Sequence, residues 1–138
     1  MKNNWNLTSD GLPEQMNDVL FVTTAGEIHK GFLNIRNAWL IQNHNGLISR
    51  FIPDQKSVLA WTNLPDRDDE NWKTDERPES GSRILVLNRA SGNVNIADVR
   101  RHVWIIRNHP KDHVTFWANT TSPWMPLPEI PDFIMNAG

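Results

Sequence analysis

Val19-Leu20-Phe21-Val22, closed off by Thr24-Ala25-Gly26, returns as Ile84-Leu85-Val86-Leu87, closed off by Ala90-Ser91-Gly92-Asn93. Each run is short, apolar and bounded by turn formers, which is the pattern of a buried strand leading into a hairpin. Other landmarks keep the same separation of 65 residues: Pro13-Glu14 falls on Pro78-Glu79, Trp39-Leu40-Ile41 on Trp104-Ile105-Ile106, and Asn43-His44 on Asn108-His109. The outer landmarks drift, Trp5 matching Trp72 at 67 residues and Trp61-Thr62-Asn63-Leu64-Pro65 matching Trp124-Met125-Pro126-Leu127-Pro128 at 63. Loop insertions between fixed elements produce such drift, so one module is written twice.

The charged stretch Asp66-Arg67-Asp68-Asp69-Glu70-Asn71 carries no apolar anchor and divides the chain into residues 1–67 and 68–138. A module of this size buries too little surface to be robust alone, so the two are expected to pack as one body. Strands are expected over Asp18–Thr24, Glu27–Ile35, Trp39–Asn43 and Ser57–Trp61, and over Arg83–Asn88, Val94–Val99, Val103–Arg107 and part of Thr115–Trp124, four to a copy. The nine Pro are scattered and no long 3.6-residue apolar period occurs, which leaves room only for a short helical turn near Leu12–Asn17. Pro123–Pro131 reads as extended. The fold class is all-β, a tandem pair of small antiparallel, SH3-like open barrels, each core sealed by three indoles.

Composition sets further bounds. The 138 residues carry a formal charge of -2, which gives no bulk attraction to nucleic acid and argues against direct DNA binding. No apolar run is long enough to span a bilayer, and Met1-Lys2-Asn3-Asn4 lacks the apolar segment of a signal peptide, so the expected location is the cytoplasm. The absence of Cys excludes disulfides, thiol catalysis and thiolate-bound zinc.

Trp5 before Leu12-Pro13-Glu14, the Val19–Val22 strand, Trp39, and the ending Trp124-Met125-Pro126-Leu127-Pro128-Glu129 together resemble a small domain of unknown function common in bacteriophages and prophages. Members of that family open with a Trp before Leu-Pro-Glu and end on Trp-Met-Pro-Leu-Pro. Two copies would cover nearly the whole chain. The first departs at Thr62-Asn63, and the second has Arg77 where Leu precedes Pro-Glu. The resemblance implies an accessory protein of a phage or mobile element acting inside a bacterial cell, and it implies no chemistry.

The candidate site residues, His44 apart, fall in the second half. Arg100, Arg101 and Arg107, with His102 and Lys111, surround the Trp104 strand; guanidinium groups pair bidentately with carboxylates and phosphates, though such a stretch is also what a solvated strand face looks like. His109 and His113 lie four apart, a zinc-ligand spacing only on a helix, which Pro110 opposes, so no metal site is expected. His44 and His109 follow Asn at the same place in both copies and either read a partner through hydrogen bonds or end the strand and cap it. Of the seven Trp, Trp117 alone has no counterpart in the first copy and reads either as a binding anchor or as filler between modules. Nucleotide-loop and hydrolase fingerprints are missing, so neither catalytic residues nor a cofactor is expected. The expected function is a non-enzymatic binding protein that occludes a host protein, such as an immune effector. The alternative is a sponge holding a nucleotide-like signal between the modules.

Overall fold

The computed structural model describes residues 5–42, 49–106 and 116–136. It is all-β, with two antiparallel sheets, neither closed into a barrel. The first holds β1 (Asn6–Leu7), β2 (Val19–Thr23), β3 (Ile28–Leu33), β4 (Trp39–Gln42), β5 (Ser49–Phe51) and β6 (Val58–Asn63) in the order β1-β6-β2-β3-β4-β5. The second holds β7 (Arg83–Leu87), β8 (Val94–Arg100), β9 (Val103–Ile106), β10 (Phe116–Ala118) and β11 (Trp124–Pro126) in the order β10-β9-β8-β7-β11. One short helix, α1 (Asp132–Met135), follows Pro131. Contacts divide the chain into two compact units, the first made of residues up to Gln42, residues through Leu64 and Pro128 onward, and the second containing Pro65–Leu127.

The two sheets follow the same path, a four-stranded meander whose fifth strand returns to pair with the first. Their registers agree residue for residue. Phe21 faces Trp61 as Val86 faces Trp124, and Leu33 faces Trp39 as Val99 faces Trp104. Even the drifting landmarks coincide: Asn6 pairs with Trp61 on β1 and β6, and at the matching place a single antiparallel bridge joins Lys73 to Trp124. Each meander therefore has five strands where the sequence suggests four. The stretch read as one strand within Thr115–Trp124 is two, β10 and β11, and the first copy carries the matching β5. Strands of three residues are too short to show alternation in sequence. The helical turn expected near Leu12–Asn17 is absent, because Met16 sits at φ 65°, where a right-handed helix cannot continue.

Equivalent positions also build the two cores. Val19, Phe21, Leu33, Trp39, Ile52 and Val58 are buried together in the first unit, and Ile84, Val86, Ala97, Val99, Trp104 and Trp124 in the second. Phe21 and Trp39 meet with ring centroids 5.1 Å apart at 47°, a tilted arrangement that suits their quadrupoles. The Gln55 side chain secures the backbone behind them, accepting from Trp39 N–H at 2.5 Å and donating to the Trp39 carbonyl at 3.0 Å.

One size exchange distinguishes the cores. Register places Gly31 opposite Val19 where Ala97 stands opposite Ile84, and Phe21 where the second unit has Val86. A Cβ on Gly31 would overlap the Leu40 carbonyl oxygen and lie 2.7 Å from the Phe21 ring. Large beside absent and medium beside small fill the same space. Gly31→Ala is expected to destabilise the protein by about 1–3 kcal/mol through overpacking. In a urea-denaturation double-mutant cycle, Phe21→Val should recover part of that loss, with a coupling of about 0.5 kcal/mol or more; additive effects would contradict the size exchange.

Candidate functional site

The loop before β7 and the tip of the β8–β9 hairpin are tied together by backbone bonds. Gly81 N–H donates to the Val99 carbonyl at 2.8 Å, and Val99 N–H to the Ser82 carbonyl at 2.9 Å. Arg101 N–H donates to Ser80 Oγ at 3.0 Å, and Ser82 Oγ donates to the Glu79 carbonyl at 2.5 Å. Between Ser80–Arg83 on one side and Asp98–Arg101 on the other lies an open cleft of about 450 Å³.

Arg83, Arg100 and Arg101 line this cleft together with Asp98. Arg83 and Asp98 stand opposite each other in the ladder, and Arg83 Nε donates to Asp98 Oδ1 at 2.8 Å, so they largely satisfy one another. Arg100 and Arg101 are exposed and make no side-chain hydrogen bond or ion pair among the described residues. Arg100 pairs with Val103, so Arg101 and His102 form a two-residue turn, and Arg101 takes φ 54°. Glycine occupies that left-handed conformation without cost, whereas a residue with a Cβ is strained there by about 1 kcal/mol or more. The hairpin tip thus holds a long cationic side chain at a position where backbone preference alone would select glycine.

The same corner recurs in the first unit with other chemistry. Met16 N–H donates to the Leu33 carbonyl at 2.7 Å, as Gly81 does to Val99. Gln15, in the place of Ser80, likewise reaches the facing hairpin, donating from Nε2 to Asn37 Oδ1 at 2.7 Å. That hairpin is one residue longer, and Asn34 Oδ1 caps it by accepting from Arg36 N–H and Ala38 N–H, each at 2.9 Å. Leu12, Met16 and Ile35 are exposed here, at 48%, 59% and 74%, where the second unit has Arg77, Gly81 and Arg101. One corner is apolar and the other cationic. Lys30, on β3 of the first unit, is held below its usual pKa by burial, with Asp18 acting in the opposite direction; the second unit has the apolar Ile96 at that position.

Of the residues singled out in the sequence, Arg100 and Arg101 come together at the cleft. Trp117 lies on β10 opposite Ile105, two strands away from β8. It has a counterpart after all: Phe51 faces Leu40 as Trp117 faces Ile105, and Phe51 is exposed. A one-residue change of offset and the replacement of Trp by Phe hide that match in the sequence. His44, Arg107, His109 and His113 lie outside the described residues. Ser80, Gly81, Arg83 and Asp98 went unnoticed in the sequence, although counting back from the Gly92 turn would have placed Arg83 across from Asp98. Among the described residues, no three His, Asp or Glu side chains converge as metal ligands, and no helix is long and apolar enough to cross a membrane.

Relief of the turn strain is measurable. Arg101→Gly should raise unfolding stability by about 1 kcal/mol, while Ser80→Ala, which removes the acceptor for Arg101 N–H, should lower it by about 0.5–1.5 kcal/mol. Urea midpoints at constant slope test both, and a loss of stability in Arg101→Gly would show that the side chain is held by contacts rather than strained.

No protein-family model, curated protein or solved structure matches the chain.

Proposed function

We propose that the chain is a non-enzymatic binding protein whose second unit grips an acidic segment of a partner protein in the cleft between Ser80–Arg83 and Asp98–Arg101. The observation that carries this reading is that Arg100 and Arg101 line the cleft without an ion pair or side-chain hydrogen bond among the described residues, Arg101 from a strained turn. Strain retained at an exposed residue is more readily understood when the side chain has work outside the fold. Guanidinium groups suit carboxylates because their planar donors pair with two oxygens at once.

Two features favour binding over chemistry. The cleft's hydroxyl groups are engaged, Ser80 Oγ with Arg101 N–H and Ser82 Oγ with the Glu79 carbonyl, and its one carboxylate is held by Arg83. Among the described residues no aromatic side chain lines the cleft to offer a platform on which a nucleotide base could stack, which favours an acidic protein segment over a nucleotide-like ligand. In the setting that the phage-domain resemblance suggests, the partner is a host protein, such as an immune effector, whose working surface is covered on binding.

A glutamate-rich peptide titrated against the intact protein tests the reading. Binding should weaken with rising salt and fall at least about tenfold in Arg100→Ala/Arg101→Ala, the equivalent of losing one charge-assisted contact or more. A nucleotide panel titrated in parallel should show no saturable binding. Equal peptide affinity for the wild type and the double variant would overturn the assignment, and tight nucleotide binding would replace it with the sponge.

A further inference from the structure

The opening indole of each unit donates its N–H to the acidic residue of a Leu-Pro-acid segment. In the second unit, Trp72 Nε1 donates to the Asp66 carbonyl at 2.7 Å, and the segment Leu64-Pro65-Asp66 lies just ahead of it in the chain. In the first unit, Trp5 Nε1 donates to the Glu129 carbonyl, also at 2.7 Å, but the segment Leu127-Pro128-Glu129 comes 124 residues later. The offsets are the ones that relate the two modules, so a single recognition is made twice, once with a local segment and once with a remote strap.

The strap is anchored at a second point. Ile134 of α1 is fully buried, and α1 packs against β6. The Met135 methyl lies 3.8 Å from where a Cβ on Gly26 would be. The receiving slot is thus formed by Trp5, β6 and the Gly26 turn, all of them in the first unit and none of them in the strap. β11 ends at Pro126, Pro128 and Pro131 lie in the strap that follows it, and Pro131 is extended at φ -63°, ψ 148°. Prolines hold such a segment stiff and open, with no hairpin to rebuild if it is redirected.

We infer that this slot is a docking site for a Leu-Pro-acid segment followed by a short apolar helix, and that the occupant it accepts in trans is the Pro128–Asn136 strap of a second copy. Reciprocal exchange preserves the Trp5–Glu129 bond and the burial of Ile134 and alters only the short link between β11 and the strap, which is the low-cost route to a swapped dimer. The choice between the cis and trans occupants is set by protein concentration against the effective concentration of the tethered strap. The inference concerns the first unit and does not depend on the proposed cleft.

Complementation between two full-length variants tests it. Trp5→Ala damages the slot and leaves the strap whole; Ile134→Asp damages the strap and leaves the slot whole. Refolded together from urea and weighed by native mass spectrometry, they should give a one-to-one heterodimer that neither gives alone. The wild type refolded at rising concentration should show a growing dimer fraction, which Ile134→Asp abolishes. A mixture containing only monomers, together with a wild type that stays monomeric throughout, overturns the inference, and so does a wild-type dimer that persists in Ile134→Asp. Should either variant fail to fold, the wild-type concentration series decides the matter by itself.

Discussion

On each closing strand, an indole N–H reaches a backbone carbonyl in the loop that opens the same unit: Trp61 Nε1 to Gly11 at 3.0 Å, and Trp124 Nε1 to Glu76 at 2.8 Å. This bond ties each closing strand to the loop that leads into its corner. The same tryptophans pair in the ladder with Phe21 and Val86, so the core and the loop are fixed by one side chain. From Gly11 and Glu76, the chain runs directly to Gln15-Met16 and Ser80-Gly81, whose polar groups grip the facing hairpin. An indole suits this role because it contributes a large buried apolar area and one directional donor at its edge.

On that shared scaffold the two corners have come to differ in chemistry while keeping their backbone bonds. The first unit exposes Leu12, Met16 and Ile35, and the second exposes Arg77, Arg100 and Arg101. Both use residues in the left-handed region, Met16 at φ 65° and Arg101 at φ 54°, whereas Gly81 at φ 89° takes the unstrained choice where Met16 does not. Local backbone preference and side-chain exposure therefore pull in opposite directions at the same structural place, which is where local rules most often yield to function.

Much of the architecture could be read from residue spacing. The tandem organisation, the all-β class and seven of the strands follow from the spacing of tryptophans and apolar runs, because buried alternation and indole closure leave a regular trace. The three-residue strands did not, since nothing in Ser49-Arg50-Phe51 or Phe116-Trp117-Ala118 distinguishes an edge strand from a loop. The return of Pro128–Asn136 to the first unit is a long-range event, visible only once Trp5 is seen bonding to Glu129. At the cleft, Arg100 and Arg101 stood out by charge. Ser80 did not, because its part is to accept from one backbone amide, and a hydroxyl in that role carries no signature in sequence.

The indole of the second closing strand ties down the loop that leads to the proposed binding cleft. The direct measurement is amide hydrogen exchange at Gly81 and Arg101, combined with acidic-peptide affinity, in Trp124→Phe and Trp61→Phe. Trp124→Phe should accelerate exchange at both amides and weaken peptide binding, while Trp61→Phe leaves both unchanged. Unaltered exchange in Trp124→Phe, or equal loss of affinity in the two variants, would contradict the account.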